Sequence, residues 1–464
     1  MSYPAITNTS SARSAALSIF QAGIKAADPY LAVKRFLSSD GANIEILLDL
    51  DDAAQIRTGH WSKIRVIAIG KAACAMSKAA QEIIPRHLFS APGLAVTNYE
   101  NVTEVAQTKV MGAGHPLPDQ NGYHAALCCA EQLSLAQKDE LVLVLVSGGG
   151  SALIPYPVDA ISLEEKIATT DLLLACGATI NQINCVRKHL SKLKGGGFAR
   201  LAAPADVHAL ILSDVLGDDL SSIASGPTVP DPSTYNDAIS IFNDYGIWDR
   251  VPSKVQQHLE QGRLGNIPET PKTDDVIFNT CTQTLIGSNA ISVKATFNAA
   301  VQLGYQTQLY DAHLCGETRV AAEAWVLAAK QLRNNDNNHT LALVAGGETT
   351  VSLKGTGRGG RNQELALAFA LAATQHNLTG NWTFLSGGTD GRDGPTDAAG
   401  GIVDQDSFTR MMQAGLDPQA LLNNNDSYTA LQGSQDLLIT GATGTNVADL
   451  QILLLHPTDI PTLL

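Results

Sequence analysis

The sequence predicts an α/β protein of two domains. Strand-like and helix-like runs alternate along the chain, and several strand-like runs are continuously apolar, as in a parallel sheet covered on both faces. With 464 residues, 44% of them hydrophobic against 16% charged, the chain can bury more than one core. The elements read in order as a helical lead-in (12–37), the strand RVIAIG (65–70), a helix (71–84), the strands GLAVTN (93–98) and KVMGAG (109–114), and a helix (122–135). The apolar run LVLVLV (141–146), helices between Leu163 and Leu193 and the strand ALILSDV (209–215) complete the first half. A stretch rich in proline, glycine and polar residues at 265–275 predicts a linker, dividing the chain into 1–270 and 271–464. Beyond it VIFN (276–279) and LIGSN (285–289) open a second block with a helix (290–303), the strands LALVA (341–345) and TTVSL (349–353), a helix (362–373) and the strand WTFL (382–385). The Asn-rich patch RNNDNNH (333–339) reads as a solvated turn.

A formal net charge of -14 argues against a nucleic-acid or anionic-membrane partner, because both need a basic face, and any anionic ligand must be met by local cations. Seven cysteines form no C-x-x-C pair and no zinc-spaced cluster, so free, mostly buried thiols are expected. The N-terminal stretch lacks a basic region followed by an apolar core, and runs such as LALAFALAA (365–373) are too short for a bilayer. These features predict a reduced, cytoplasmic, soluble enzyme.

In parallel sheets ligands collect beyond the carboxyl ends of the strands. Gly70-Lys71, Ser147 to Ser151 and Ser213-Asp214 all fall there. Lys71 opens a helix and suits a phosphate, though a surface lysine at a helix start is common. Ser147, Gly148, Gly149, Gly150 and Ser151 are small enough for backbone N–H groups to converge on a phosphate, without the Gly-Lys-Ser/Thr ending of a Walker loop. The segment NCVRKHLSKLKGGG contributes Lys194, with a solvated basic face as the plainer reading of its charges and His189 as a structural residue. In LSDVLGDDLSSIASGPT, Asp214 ends a strand and Gly217, Asp218, Asp219, Ser225 and Gly226 follow; carboxylates beside a phosphate cradle suit Mg²⁺, with Asx-turns and caps as the alternative.

The segment AGGETTVSLKGTGRGGRNQEL (345–365) brings Glu348, Arg358, Arg361 and six glycines to a helix start that favours negative charge. Its Gly355, Gly357 and Gly360 spell G-x-G-x-x-G, yet the next strand runs into Ser386-Gly387-Gly388 where a dinucleotide site needs an acid. Asp390, Arg392, Asp393 and Asp397 sit on a second glycine-rich loop suited to a metal or a substrate hydroxyl. Cationic clamps, a glycine cradle and acidic loops together suit phosphoryl transfer, where positioning and charge neutralisation do most of the work.

RVIAIGKAACAM, GHPLPD, LVSGGGSAL, VRKHLSKLKGGG, ILSDVLGDDLSSIASGPT, AGGETTVSLKGTGRGGRNQE, SGGTDGRDGPTDAAGG and GATGTNVADL resemble, in order, the motif set of the class II glycerate kinases, or MOFRL family. The resemblance implies a Rossmann-like N-terminal domain that binds nucleotide, an α/β C-terminal domain that binds substrate, a cleft between them, and transfer of phosphate from ATP with Mg²⁺ to D-glycerate, giving 2-phosphoglycerate. It makes Lys71 and Arg361 the leading catalytic cations and Asp214 and Asp390 metal-linked or base-like carboxylates. Glu348, Asn362 and Asp393, with Arg358, would line the glycerate site. Some members carry the label hydroxypyruvate reductase, so an NAD(P)H-dependent reductase is the competing reading and a non-catalytic sensor of nucleotide or organic acid the third. A monomer or homodimer is expected.

Overall fold

The computed structural model describes residues 11–335 and 339–457, so the first ten residues and the centre of the Asn-rich patch (336–338) lie outside the described residues. The chain divides into two compact units, Pro29–Ile286 and the segment through Asp28 together with Gly287 onward.

The first unit is built on a six-stranded sheet in the spatial order Thr108–Ala113, Gly93–Asn98, Lys63–Ile69, Glu140–Val146, Asp206–Leu212, Cys281–Gly287. The first five strands are parallel to their neighbours. This order runs outward from Lys63–Ile69 in one direction and then reverses, as in nucleotide-binding doubly wound sheets. Both faces are covered, which explains the unbroken apolar runs. Ile64, Val66, Ala68, Leu141, Leu143 and Leu145 pack on one side, and Ile67, Ile69, Val142, Val144 and Val146 on the other. Helices start where the sequence supplies caps: Asp119 accepts from Gly122 N, and Ser162 with Glu165 and Thr179 with Gln182 form capping boxes.

The lead-in is two helices, Ser11–Ala26 and Pro29–Phe36, broken where Pro29 opens the second, and Leu37 begins a small antiparallel sheet with Ile44–Leu47 and Ile56–Gly59. VIFN forms a 3-10 turn, and LIG ends the strand Cys281–Gly287, which joins the first sheet. The first unit therefore continues to Ile286, past the expected linker.

The second unit holds a six-stranded sheet in the order Gln306–Leu314, Leu341–Gly347, Asp449–Leu455, Trp382–Gly388, Gly400–Asp404, Leu437–Leu438. Asp449–Leu455 is antiparallel to both of its neighbours. The carboxyl ends of Leu341–Gly347 and Trp382–Gly388 therefore share an edge with the start of this strand, and Asp449 pairs in register with Gly347 and Gly388. Helix Arg361–Gln375 is buried continuously from Asn362 to Ala373, matching its apolar circumference. On the opposite face, Ala16, Ile19 and Phe20 of Ser11–Ala26 pack with Val293, Ile452 and Leu454, so the start of the chain completes the second unit.

TTVSL does not form a strand. Thr350 makes a single bridge to Glu317, and Leu353 is 81% exposed. Gly347, at φ 148°, turns the chain out of the sheet before the β-branched residues begin.

Candidate active site

At the reversal point of the first sheet two strand-end turns are tied together. Lys71 N donates to Gly148 O at 2.9 Å and Ala72 N to Ser147 Oγ at 3.0 Å, so Ser147 holds the turn in place. Gly70 has φ 120°, and a Cβ there would stand 2.2 Å from Ser147 Oγ. A Cβ on Gly148 would lie 2.2 Å from Asp214 Oδ2, so the glycine lets the acid that follows Asp206–Leu212 approach the backbone.

Among the described residues the Lys71 ammonium has no hydrogen-bond or ion-pair partner, and neither Gly148 N nor Gly149 N donates to a protein acceptor. Asp214 makes no ion pair; burial pushes its carboxyl above the usual range, against the pull of Lys71. His115 stands against Gly149, and burial together with Lys71 holds its imidazole below its ordinary pKa. A cavity of about 420 Å³ opens here, lined by Gly149, Ser151, Asn184, Arg187, Asp214 and Asp219 among others.

The other expected nucleotide residues do not line this cavity but brace the segments around it. Lys194 Nζ donates to Ser151 O at 2.7 Å and to Ser151 Oγ at 2.8 Å. Ser225 Oγ lies 3.0 Å from Ser151 Oγ and donates to Asn184 Oδ1 at 3.1 Å, while Gly195 N and Gly196 N donate to Ser225 O and Gly226 O. Gly150 opens a short helix (Gly150–Leu153) beside Ala224. Gly217 and Asp218, both at positive φ, turn the loop after Asp214, and Asp219 is engaged by Ser221 and Ser222. Sequence reading passed over His115, Asn184 and Arg187. A signal was available for the last: between Asp171 and Asp206 the chain carries Arg187, Lys188, Lys192, Lys194 and Arg200 and no acid.

In the second unit the acids gather around Arg361 at the shared sheet edge. Its Nε and Nη2 donate to Asp449 Oδ2 and Oδ1 at 2.6 and 3.0 Å, and its Nη1 pairs with Glu348. Burial pulls this guanidinium down, but Asp449 and Glu348 outweigh it and raise it above its ordinary value. Asp390 Oδ1 accepts from Arg392 N at 2.9 Å, and a Cβ on Gly388 would lie 3.2 Å from that oxygen and 3.6 Å from Asp449 Oδ1.

The negative charge favoured at the helix start is the protein's own. Asp393 accepts from Asn362 N at 3.2 Å and from Gln363 N at 2.8 Å, capping Arg361–Gln375. Burial and nearby Asp449 raise its carboxyl to about 6, against these hydrogen bonds. The glycine loop is not a bare anion cradle either: Lys354 N and Gly355 N donate to Asn425, Thr356 N and Gly357 N to Asn424, and Arg358 N to Asp426. Arg358 itself stacks 3.8 Å over the Tyr428 ring. Asn362 accepts from Ser386 Oγ at 2.6 Å, while its buried Nδ2 has no partner. Asp449 was not singled out in the sequence, where it reads only as the polar start of an apolar strand.

Residues 15–260 match a family model described as a domain of unknown function (DUF4147), and residues 341–449 match that of the MOFRL family. A glycerate 2-kinase of Pyrococcus horikoshii is 41% identical, over 92% of this chain and 94% of that protein. A D-glycerate 2-kinase of Thermotoga maritima is also 41% identical, over 85% of this chain and 91% of its own. The chain belongs to the glycerate 2-kinase (MOFRL) family. The crystal structure of the Thermotoga maritima glycerate kinase superposes with a TM-score of 0.84 at 38% identity, covering 96% of this chain and 99% of that one. The family's two-part α/β architecture is thus present in full. The seven cysteines are all free, and among the described residues no helix is long and apolar enough to cross a membrane.

Proposed function

We propose that the protein transfers the γ-phosphoryl group of ATP to the C2 hydroxyl of D-glycerate, the first unit taking the nucleotide and the second the hydroxy acid. The observation that carries this is the unpartnered Lys71 ammonium beside the open N–H groups of Gly148 and Gly149, at the reversal point of the first sheet. Donors already in place where charge develops need no rearrangement during reaction. Lys71 faces the transferring phosphoryl group, and Gly148 and Gly149 hold phosphate oxygens.

Among the described residues no group of three or more His, Cys, Asp or Glu could hold a metal ion. Mg²⁺ arrives on the nucleotide and needs only one or two carboxylates besides phosphate oxygens and water, a demand that the Asp214 carboxylate standing against Gly148 suits. Bound there, the ion neutralises charge on the phosphates. Asp214 is the carboxylate we assign to it, and Asp390 the acid that receives the acceptor hydroxyl's proton. The O–H bond of glycerate breaks as its oxygen bonds phosphorus, and the bond from phosphorus to the ADP oxygen breaks in the same displacement. Arg361, fixed by Asp449, Arg358 and the unpartnered Asn362 Nδ2 are the donors for glycerate's carboxylate and hydroxyl groups; Glu348 and Asp393 hold that set in position.

A reductase is disfavoured by the first turn of the doubly wound sheet, which reads Gly70-Lys71-Ala72-Ala73 and lacks the three spaced glycines that receive a pyrophosphate. The test is incubation of purified protein with D-glycerate and Mg·ATP, measuring ADP release and resolving the product by phosphorus NMR. 2-Phosphoglycerate is expected. A 3-phosphoglycerate product would overturn the regiochemistry, and NAD(P)H oxidation with hydroxypyruvate in place of ADP release would overturn the kinase.

A further inference from the structure

Arg187 lies in the last turn of Ile180–His189, and its guanidinium has no hydrogen-bond or ion-pair partner among the described residues. It lines the 420 Å³ cavity beside Gly149 and Asp214 and also a second cavity of about 260 Å³, and Ser151 borders both. The second cavity is walled by Pro116, Leu117, Pro155 and Ile167, with Lys166 and Lys194 among its lining residues.

Both lysines are nearly inaccessible, at 6% and 2% exposure, and no acid ion-pairs with either. Lys166 Nζ donates to Leu190 O at 2.7 Å and Arg187 O at 3.3 Å, and Lys194 Nζ is held by Ser151. Each ammonium keeps a third N–H, and Arg187 keeps its whole fork. Burial and the neighbouring Arg187 bring Lys166 down to about 7, and burial with both neighbours lowers Lys194 as well. Among the described residues none of the three basic side chains is ion-paired, although the exposed Asp171 also lines the cavity, and keeping them charged together is costly unless an anion joins them.

We propose that Arg187, backed by Lys166 and Lys194, grips the polyphosphate chain of the nucleotide where the two cavities meet at Ser151. This rests on the first unit being the nucleotide-binding one. The planar fork suits two phosphate oxygens at once, and the cavity's apolar wall leaves them no competing water on that side.

The test is calorimetric binding of ATP and of inorganic tripolyphosphate to wild type and to Arg187→Gln and Arg187→Lys, with steady-state kinetics for both substrates. Loss of a charged hydrogen-bonding group predicts about 10- to 100-fold weaker binding of both ligands in Arg187→Gln, a smaller loss in Arg187→Lys, and an unchanged glycerate KM. Unchanged ATP affinity in a folded variant that still turns over would overturn the proposal and leave the kinase standing. A raised glycerate KM with unchanged ATP affinity would also overturn it, since it would move the contact to the other substrate. Wild type that binds and turns over neither ATP nor D-glycerate would remove the kinase reading and this proposal with it, whereas wild type that binds ATP through Arg187 without turning over glycerate would keep the grip and remove the kinase reading alone. Should Arg187→Gln fail to fold, Arg187→Lys decides by the same measurements.

Discussion

Arg361 and Asp449, 88 positions apart, meet as a two-pronged ion pair at the sheet edge. Asp449 is 1% exposed while the Arg361 side chain is 34% exposed, so one end of the pair is sealed and the other faces outward. The acid fixes the fork's plane and leaves the guanidinium's outer N–H groups to be presented.

Asp449→Asn therefore should damage function more than stability. The amide keeps the shape but loses one acceptor and the charge; after discounting for the exposed end, the loss is about 1–2 kcal/mol. Calorimetry should show a Tm lower by several degrees with kcat at least about tenfold lower. Full activity in this variant would mean that Arg361 needs no such support.

Arg361→Lys should lose most activity while remaining folded, because a point charge cannot satisfy both Asp449 oxygens and Glu348 together. Arg358→Lys should be milder, since Arg358 is exposed and its observed side-chain contact is the Tyr428 ring face, which an ammonium can also occupy. Comparison of kcat/KM for the two variants checks this, and equal damage would show that Arg358 needs its planar fork as much as Arg361 does.

Lys71→Ala removes an unpartnered ammonium, so Tm should move by no more than about 2 °C while kcat falls roughly 10²- to 10³-fold with ATP binding less affected. Near-normal turnover would return Lys71 to an ordinary helix-start residue.

Gly148→Ala probes the neighbouring acid, because the added methyl would lie 2.2 Å from Asp214 Oδ2 and must displace it. Mg²⁺-dependent turnover should drop by about tenfold or more in a folded variant if Asp214 acts where it stands. An unimpaired enzyme would remove Asp214 from the chemistry.

Asp393 gives a pH signature. Its folded carboxyl is raised from 3.8 to about 6, so its proton is held more tightly in the native state. The stabilisation is full below about pH 4 and is lost as pH rises through about 6, by up to about 3 kcal/mol. Thermal melts of wild type and Asp393→Asn across pH 4–7 should diverge in that window, with wild type losing ground as pH rises. A constant offset would show that the carboxyl titrates normally.

The legible parts of the fold were those whose pattern is local. Unbroken apolar runs such as LVLVLV announced buried parallel strands, and the polar residues just past strand ends marked Lys71 and Asp214. TTVSL misled because β-branched residues favour strands only where a sheet edge receives them, and Gly347 diverts the chain first. The Arg361–Asp449 fork and the capping of Arg361–Gln375 by Asp393 depend on strands and loops far apart in sequence, so no spacing rule exposes them. Arg187 was hidden by its surroundings, as a basic segment at a helix end resembles a solvated face until its partial burial and its lack of an ion-pair partner among the described residues are seen.

Two parts of the second unit lie at opposite ends of the chain. Among the described elements the helix Ser11–Ala26 precedes all others, and the strand it packs on, Asp449–Leu455, follows them all. On the ribosome Pro29–Ile286 has every strand of its sheet while the opening helix still lacks its floor. That helix must remain unsatisfied through most of translation, with Phe20 and Ile19 exposed to chaperones or to other nascent chains. A truncation before Asp449 would therefore spare the first sheet and leave the second without an interior strand. Folding yield should depend on how well that helix is shielded until Asp449–Leu455 has been made.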